Sequence, residues 1–364
     1  MIIHLFFVFC LFLGFIVVQK SYYDRDRKHR LFINYVTILL ILQSGLRNVA
    51  VGPDTFAYYL KFVNVMSDSW SDIFRGFITV YVEDEGKDAG YPLLQKIFQL
   101  FCNNYVVYLL CVAIVIFCAF RKLLIQFTDS VKQVLFAVLL YWALFYTFFS
   151  ITGIRQALSV AISIYAYDLI KDRKLMKFLS LAAIAFFIHK SAIIMLPMYY
   201  LYQYRNIKVL IAFSFIGFCI FFIFRDYFMN FAREIADYGV FVAAVPWKLM
   251  AFYFVASILI FIAFSRYKPK GYIGVFSLYV PTFMWIPLLG NDSTFMREVY
   301  YFSVFIIGLL PYSISKVFSK QITSFINMFL MLLFLYLYLQ NAGEYKFFWQ
   351  EMSLPENYSV YKML

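Results

Sequence analysis

The feature that most constrains the fold is a series of twelve apolar runs that fills most of the 364 residues. The runs are 2–19, 31–46, 103–119, 133–150, 156–170, 175–188, 191–203, 209–224, 248–265, 272–289, 299–315 and 322–340. A helix of about 20 apolar residues crosses the bilayer core. Because 64% of the residues are hydrophobic and only 14% are charged, a soluble or disordered chain is excluded. The runs also lack the alternation of a transmembrane β-barrel. We expect an all-α polytopic integral membrane protein with about twelve transmembrane helices.

The connections between the runs divide into a basic set and a nearly neutral set. Every second connection, around 20–30, 120–132, 171–177, 204–208, 266–270 and 316–320, belongs to the basic set. With Asp168 included, this set holds 19 of the 32 Lys and Arg residues and 5 of the 20 Asp and Glu residues, a net charge of +14, and the remainder carries −2. Lys and Arg collect in cytoplasmic loops. We therefore expect both termini outside, and the net charge of +12 requires no nucleic-acid partner.

The longer connections all fall on the external side of a single membrane domain, 1–364. They are the loops 47–102 and 225–247 and the C-terminal tail 341–364. Apolar residues recur at helical spacing in 55–66, where Thr55 is the expected N-cap, and again in 226–245, so both read as amphipathic helices in the membrane interface. Two interpretations stay open: these helices close the bundle, or they wall a lipid-accessible cavity. The first run lacks the basic start and cleavage pattern of a signal peptide, so we expect a retained helix.

Positive or imidazole side chains recur at the predicted outer ends of the helices, on the side that ordinarily lacks them. They are Arg47, Arg155, His189, Lys190, Lys248 and Arg297. Each could snorkel to the surface by itself. As a set they indicate an anionic ligand near the membrane surface, because an arginine fork binds phosphate oxygens in partly dry places. A lipid-linked phosphate or pyrophosphate fits this description.

No motif of a soluble enzyme is present: there is no nucleophile elbow, zinc-protease helix, P-loop or dinucleotide fingerprint. Only three histidines exist, which argues against a multi-histidine metal site. His189 directly follows the apolar run 181–188 at the expected outer membrane edge. An imidazole there can act as a general base or hydrogen-bond an anion. The alternative is a helix-end histidine bonded to a neighbouring carbonyl.

Two carboxylate groups lie in the first external loop. Asp54 follows Gly52-Pro53, and the run Glu83-Asp84-Glu85 comes later in the same loop. The acidic run has two interpretations, a solvated loop or a holder of a divalent cation against a lipid diphosphate. We favour the solvated loop, and so expect no metal and no cofactor.

Four short stretches in this order resemble the EpsG-like branch of the Wzy polysaccharide polymerases. They are 47–59 with Arg47, Gly-x-Asp-Thr and Tyr58; 85–94 with Glu85 and Gly-Tyr91; 155–161 opening on Arg155; and 185–197 with Phe-x-His-x-Ser-Ala around His189. The match in order and spacing covers about 40–200, and a weaker one covers Arg297 to Pro311. Such proteins are multi-pass proteins of the bacterial inner membrane that join lipid-linked repeat units into O-antigen, capsule or exopolysaccharide.

The resemblance implies a reaction and a set of roles. The growing glycan would pass from undecaprenyl diphosphate to a sugar hydroxyl of a new undecaprenyl-diphosphate-linked repeat unit. Arg155 and Arg297 would hold the diphosphate and neutralise charge developing on the leaving group, with Lys248 as a further contact. Arg47 would either help them or orient Asp54. His189 or Asp54 would be the base, with His189 preferred, while Tyr58 and Tyr91 would stack on sugars and Glu85 would contact substrate. A chain-length regulator is the partner that the resemblance implies.

Two other classes of function share some of these features: an O-antigen ligase or other lipid-linked-sugar glycosyltransferase, and a transporter. An O-antigen ligase would have a similar topology and arginines, but its long external loop comes late in the chain, whereas 47–102 comes early. A lipid-linked oligosaccharide flippase or other transporter would favour charges near the bilayer midplane and internal repeats. The sequence shows no repeat, and its polar groups collect at one face, so a polymerase is the favoured interpretation.

Overall fold

The computed structural model describes residues 1–236, 247–269, 271–289 and 293–353, with backbone alone for 231–236, 293, 294 and 296. All regular elements in these ranges are helical, and one isolated antiparallel bridge joins Arg47 to Phe347. The α-helices are α1 (Ile2–Lys20), α2 (Arg25–Gly45), α3 (Thr55–Ser67), α4 (Trp70–Tyr81), α5 (Gly90–Gln99), α6 (Tyr105–Phe127), α7 (Val131–Leu144), α8 (Ile154–Lys171), α9 (Leu175–Ile188), α10 (Met198–Leu201), α11 (Ile207–Ile223), α12 (Arg225–Ala236), α13 (Trp247–Tyr267), α14 (Ile273–Trp285), α15 (Ser293–Ser303), α16 (Ile306–Val317) and α17 (Lys320–Asn341). Tyr146–Thr152 is π-helical, and Lys190–Met195 and Ile286–Leu288 are 3-10 helices.

Four helices of the described ranges, α1, α6, α13 and α17, are long and apolar enough to cross a membrane. The number rises to six when two bent pairs each count as one span: α7 with the π-helical segment, bent by 73°, and Arg297–Ser303 with α16, bent by 50°. Leu175–Ile188, Ile207–Ile223 and Ile273–Leu288 are shorter apolar helices. The all-helical, multi-pass character is as expected. The twelve spans and the external position of both termini stay predictions.

The apolar run 191–203 differs most from the helix that its composition predicts. It folds as the 3-10 turn Lys190–Met195 followed by the four residues of α10. Pro197 stands between the two at the N-cap of α10. Proline has no backbone N–H and disfavours helical backbone in the residue before it, which favours a break at this point. Pro281 and Pro311, by contrast, lie within α14 and α16. Hydropathy measures only how apolar a run is, so it does not detect such a break in the helix.

The chain forms two compact units. Unit 1 comprises Met1–Tyr165, Ala183–Lys190 and Phe329–Leu364, and unit 2 comprises Ala166–Ala182 and Ser191–Met328. In unit 1, α2 packs along α6 and against α1 and α7, and α3 packs on α5. In unit 2, α11 packs on α14 and α13 on α16. The description as one membrane domain, 1–364, stays a prediction.

A buried polar network joins the two ends of unit 1. The rings of Trp142 and Tyr338 stack at 4.6 Å, and Gln43 accepts from Trp142 Nε1 at 3.0 Å and donates to the Tyr338 hydroxyl at 2.7 Å. His4 Nδ1 lies 2.8 Å from the same hydroxyl, and the hydroxyl of Tyr345 donates to the Gln43 carbonyl at 2.6 Å. A satisfied buried network fixes the arrangement of its members. It therefore ties α1, α17 and the following tail to the end of α2.

Helices α3, α4 and α5 form the described structure of the predicted external loop 47–102. The amphipathic helix predicted at 55–66 is present as α3, but the predicted cap is wrong: Asp54 occupies the N-cap, and the Thr55 hydroxyl donates to the Val51 carbonyl at 2.5 Å. Helix α4 begins at a capping box between Ser69 and Asp72 that was not among the sequence predictions. The second predicted amphipathic helix, 226–245, begins as α12, and its residues 237–245 lie outside the described ranges.

Candidate functional site

The centre of the candidate site in unit 1 is the buried carboxylate of Asp88. Its Oδ2 accepts from Arg155 Nη1 at 2.5 Å and lies 2.9 Å from His189 Nδ1. Its Oδ1 accepts from the backbone N–H of Lys190 at 2.9 Å. The side chain of Asp88 is 4% exposed, against 17% for Arg155 and 11% for His189. Three parts of the chain that lie far apart in sequence thus meet at one carboxylate.

The contact with Asp88 assigns the protons of His189. An ionised carboxylate accepts hydrogen bonds and donates none, so His189 Nδ1 carries the hydrogen at the 2.9 Å contact with Oδ2. In the neutral ring the lone pair then lies on Nε2. A carboxylate that holds one imidazole nitrogen in this way also stabilises the imidazolium that forms when Nε2 takes a proton. The pair is therefore arranged as a general base with its orienting group.

The ends of α8 and α9 place Arg155 and His189 beside each other. Arg155 is the second residue of α8, and His189 directly follows the last residue of α9. The hydroxyl of Ser159, one turn into α8, donates to the carbonyl of Ala185 in α9 at 3.0 Å. The backbone N–H of His189 donates to the same carbonyl at 2.9 Å. This shared acceptor fixes the register between the two helix ends.

The loop between α4 and α5 places Asp88 beside the start of α8 and the end of α9. Asp84, Gly86 and Asp88 have φ values of 55°, 84° and 56°, so three of five consecutive residues have left-handed backbone. Aspartate and glycine tolerate this left-handed backbone better than most residues. Immediately afterwards, Gly90 packs so closely on α9 that an added Cβ would lie 2.6 Å from the carbonyl carbon and oxygen of Phe187. The missing side chain of Gly90 thus sets the distance between Asp88 and His189.

We expect Gly90→Ala to disrupt this approach. A methyl group at that position must push the start of α5 away from Phe187, which costs about 1–3 kcal/mol of folding free energy and lengthens the contact between Asp88 and His189. The melting temperature in detergent should fall. Gly76→Ala is the matched control, because nothing lies within 4 Å of a Cβ at that position in α4. Equal effects of the two substitutions would contradict the close-approach explanation.

Buried aromatic rings pack beside Arg155 in the site. The guanidinium of Arg155 lies 5.8 Å from the ring centre of Tyr58, and this ring meets Tyr91 edge-to-face at 5.6 Å. Both tyrosines are buried, and Tyr91 in turn contacts Tyr108 at 6.4 Å. A cation beside an aromatic ring is stabilised by the electron density of the ring. The packed tyrosines therefore stabilise the position of the Arg155 guanidinium.

Three lysines add positive charge around this arrangement. Lys190 Nζ donates to the Val80 carbonyl at 3.3 Å and lies 3.6 Å from the exposed Asp84 carboxylate. The pKa of the Lys61 ammonium is lowered by desolvation and then by the like charges of Arg155 and Lys87, and Asp88 opposes the shift. Arg155 and these lysines thus bring four cationic side chains to the region of the buried carboxylate, where the exposed carboxylates of residues 83–85 offset part of their charge. Cationic groups beside a partly buried site favour a bound anion.

The pKa of Asp88 predicts a specific pH dependence of stability. Burial alone would raise the pKa, but the hydrogen bond and charge of His189, the charge of Arg155 and the Lys190 N–H together hold it below the ordinary value of an aspartate. The contribution of the ionised group to stability is thus complete above the unfolded pKa and is lost as the pH falls through the lower folded pKa. The gap in melting temperature between the wild type and Asp88→Asn should persist at neutral pH and narrow below about pH 4.

The control for that experiment is Asp84→Asn, because the side chain of Asp84 is 95% exposed in the same loop. We expect this variant to melt at the wild-type temperature. A gap for Asp88→Asn that stays constant down to about pH 3 would contradict the assignment of an ionised buried carboxylate.

Comparison with known families identifies the chain. The family model of the EpsG family matches residues 30–352. The chain belongs to the EpsG family. This is a Wzy-like polysaccharide polymerase family, as the resemblance predicted. No curated protein and no solved structure matches the chain.

The two acidic residues that were predicted for the site of this EpsG-family protein, Asp54 and Glu85, are exposed, whereas Asp88 is buried. Glu85 is exposed, and only its backbone N–H has a described bond, to the Thr79 carbonyl at 2.9 Å. Asp88, three residues later, is the carboxylate that contacts His189. The sequence did not predict this role for it. Asp54 is exposed at the start of α3, one helical turn before Tyr58. Its role as an alternative base stays a prediction.

Arg47 has a different environment from Arg155. Its side chain is buried, and the guanidinium donates to the carbonyls of Ser44 and, at 3.3 Å, of Ile151. The adjacent Asn48 N–H donates to the Lys346 carbonyl at 2.9 Å. These contacts join the end of α2, the π-helical segment and the C-terminal tail. Participation of Arg47 in substrate binding stays a prediction.

The other two predicted cations of the EpsG-family chain belong to unit 2. Lys248 is exposed at the second residue of α13, and Arg297 is half-buried in α15, directly before Glu298. Their participation in diphosphate binding stays a prediction.

The fit of a metal ion can be tested on the residues that the structure describes. Among them, no three His, Cys, Asp or Glu side chains are grouped as ligands. Glu83, Asp84 and Glu85 are all exposed. The carboxylate of Asp88 is engaged by Arg155, His189 and Lys190.

Proposed function

We propose that this EpsG-family protein is the polymerase of a lipid-linked polysaccharide. It transfers the growing glycan from undecaprenyl diphosphate to a sugar hydroxyl of a new lipid-linked repeat unit. The reaction takes place at the external face of the bacterial inner membrane, in a chain of about twelve spans with both termini outside. Family membership supports the polymerase class. The observation that carries the proposed chemistry is the contact of Asp88 with both Arg155 and His189.

The chemistry needs a base for the acceptor and positive charge for the donor. His189 Nε2 takes the proton of the attacking hydroxyl as the new glycosidic bond forms, and Asp88 holds the ring through Nδ1. The bond between the donor sugar and its diphosphate breaks, and the leaving diphosphate keeps the electron pair. Arg155 neutralises that charge: its Nε is buried and, within the described part of the chain, has no acceptor. Lys61, Lys87 and Lys190 add to the field, and Arg297 and Lys248 remain further proposed contacts.

The test uses purified protein and a synthetic undecaprenyl-diphosphate-linked repeat unit, with and without EDTA. We expect a ladder of polymer lipids that persists in EDTA, because the proposed chemistry needs no cofactor. A ladder that EDTA abolishes would overturn the metal-free mechanism and favour the acidic run 83–85 as a cation holder.

Movement of the substrate across a vesicle membrane without any ladder would favour a transporter. Transfer to a lipid A core without chain growth would favour a ligase. A chain-length regulator is a proposed partner that would alter the ladder's length distribution.

A further inference from the structure

Helix α4 presents an apolar surface that no described residue covers. Trp70, Phe74 and Ile78 recur every four residues and are 40%, 57% and 53% exposed. Residues at this spacing lie along one side of a helix. Ile73 and Val80, on the neighbouring side, are buried against the protein at 5% and 7% exposure. Only half of the apolar arc of α4 is therefore used for packing within the chain.

The rest of the α4 circumference is polar. Ser71, Asp72, Arg75 and Thr79 fall together on a helical wheel, opposite the buried positions. A short helix with an apolar arc, a charged arc and an edge that packs on protein is typical of a helix lying in a membrane interface. Its capped start, where the Ser69 hydroxyl accepts from the Asp72 N–H at 3.1 Å, stabilises the helix independently of the apolar contacts.

We propose that α4 lies in the plane of the outer membrane surface with Trp70, Phe74 and Ile78 inserted among the phospholipids. The occupant of this surface is the bilayer because the exposed side chains continue onto α9. Phe77 of α4 meets Phe187 of α9 edge-to-face at 5.5 Å, and Ile184 and Phe187 are themselves 51% and 39% exposed. α9 is one of the apolar helices of this multi-pass chain, so its exposed side chains face lipid. The surface of α4 is an extension of that lipid-facing surface.

The same helix is attached to the candidate site. The Tyr81 hydroxyl donates to the Phe187 carbonyl at 3.4 Å, and the Lys190 ammonium donates to the Val80 carbonyl at 3.3 Å. Residues 187–190 carry His189, and the loop after α4 ends at Asp88. The depth of α4 in the lipid therefore fixes the height of the Asp88–His189 pair above the membrane. This second part of the inference rests on the proposed function, because a diphosphate attached to a lipid lies at that height.

The first experiment measures depth without substrate. All five cysteines are free, so they can be replaced by alanine and a spin label attached through Ile78→Cys or, as a matched control, Arg75→Cys. In nanodiscs of phosphatidylethanolamine and phosphatidylglycerol, we expect the label at 78 to be accessible to oxygen and shielded from a water-soluble nickel complex. The label at 75 should show the reverse. Equal exposure of both labels to nickel would overturn the proposal. A label at 78 shielded from both reagents would indicate a second protein copy and overturn it as well.

The second experiment measures the link to the site. We expect the double variant Phe74→Glu with Ile78→Glu to raise KM for the full-length undecaprenyl substrate by about 10-fold and to change much less with a short-chain, water-soluble analogue. Ser71→Glu with Thr79→Glu adds the same charge on the polar side and should leave both substrates unaffected. Equal loss with both substrates would contradict the positioning role. If the protein polymerised nothing, the depth measurement would still stand, so the two proposals can fail separately.

Discussion

Asp88→Asn should lower the polymerisation rate by on the order of 10³- to 10⁴-fold, the size of effect seen when an amide replaces the carboxylate that orients a catalytic histidine. The amide keeps the shape of the side chain, and asparagine tolerates the left-handed backbone at φ 56°. It removes the charge that faces both Arg155 and His189. The His189 ring then loses its fixed tautomer, and the imidazolium loses its counterion. The measurement is the initial rate of chain growth with purified protein.

The comparison variants for Asp88→Asn come from the same loop. Asp84→Asn and Glu85→Gln also remove one negative charge each, but both side chains are exposed, so we expect rates near wild type. Elution of all three variants as the wild-type species in detergent would exclude misfolding as the cause. The rate of Asp88→Asn should stay low at every pH, because no change of pH restores the missing orientation. A wild-type rate for Asp88→Asn would remove the carboxylate from the mechanism.

Arg155→Ala should abolish long-chain polymer, with a loss of about 10²- to 10³-fold in the catalytic rate. The guanidinium is the group that the proposal assigns to the leaving diphosphate. Arg155→Lys should recover little, because an ammonium lacks the planar fork that binds two oxygens at once. Protein levels should stay near wild type, since His189 and the Lys190 N–H still hold the Asp88 carboxylate. The measurement combines polymer length in cells with the purified rate.

Chemical rescue separates a direct role of Arg155 from a structural one. Added guanidinium ion can occupy the space left by Arg155→Ala and should restore part of the rate, and a sodium salt of equal ionic strength should not. Arg121→Ala is the matched control: this arginine bonds to Asn34 at 2.9 Å within unit 1 and has no proposed role, so its removal should leave the rate unchanged. Long-chain polymer retained in Arg155→Ala cells would place the diphosphate elsewhere.

Composition and periodicity predicted some elements of this chain more faithfully than others. The apolar runs 2–19, 103–119, 248–265 and 322–340 are long helices because nothing in them interrupts a helix. The run 133–150 is broken after Leu144 by a bend of 73°. That bend is held by a hydrogen bond of 2.8 Å between the Tyr141 and Ser150 hydroxyls, a contact between side chains that hydropathy does not report. Bends and 3-10 turns therefore explain why spans are harder to count than apolar runs.

The partner of His189 could not be chosen from the sequence. Asp54, Glu83, Asp84, Glu85 and Asp88 all lie in the segment 47–102, and their chemistry is the same. Burial separates them, and burial depends on the left-handed turn of the loop and on the approach of Gly90 to Phe187. These are contacts between residues about a hundred positions apart.

Local sequence patterns predicted the membrane environment of this protein and the residue types available for its chemistry. Its apolar runs require a membrane, its ordered short stretches led to the EpsG family, and its polar residues at helix ends included Arg155 and His189. Folding brought particular members of this set of residues into contact. It placed Asp88 between Arg155 and His189, gave Arg47 backbone carbonyls as partners, and left one side of α4 uncovered. The physical reason is that hydrophobicity and helical periodicity are local properties of a sequence, whereas a buried ion pair depends on which distant segments fold against each other.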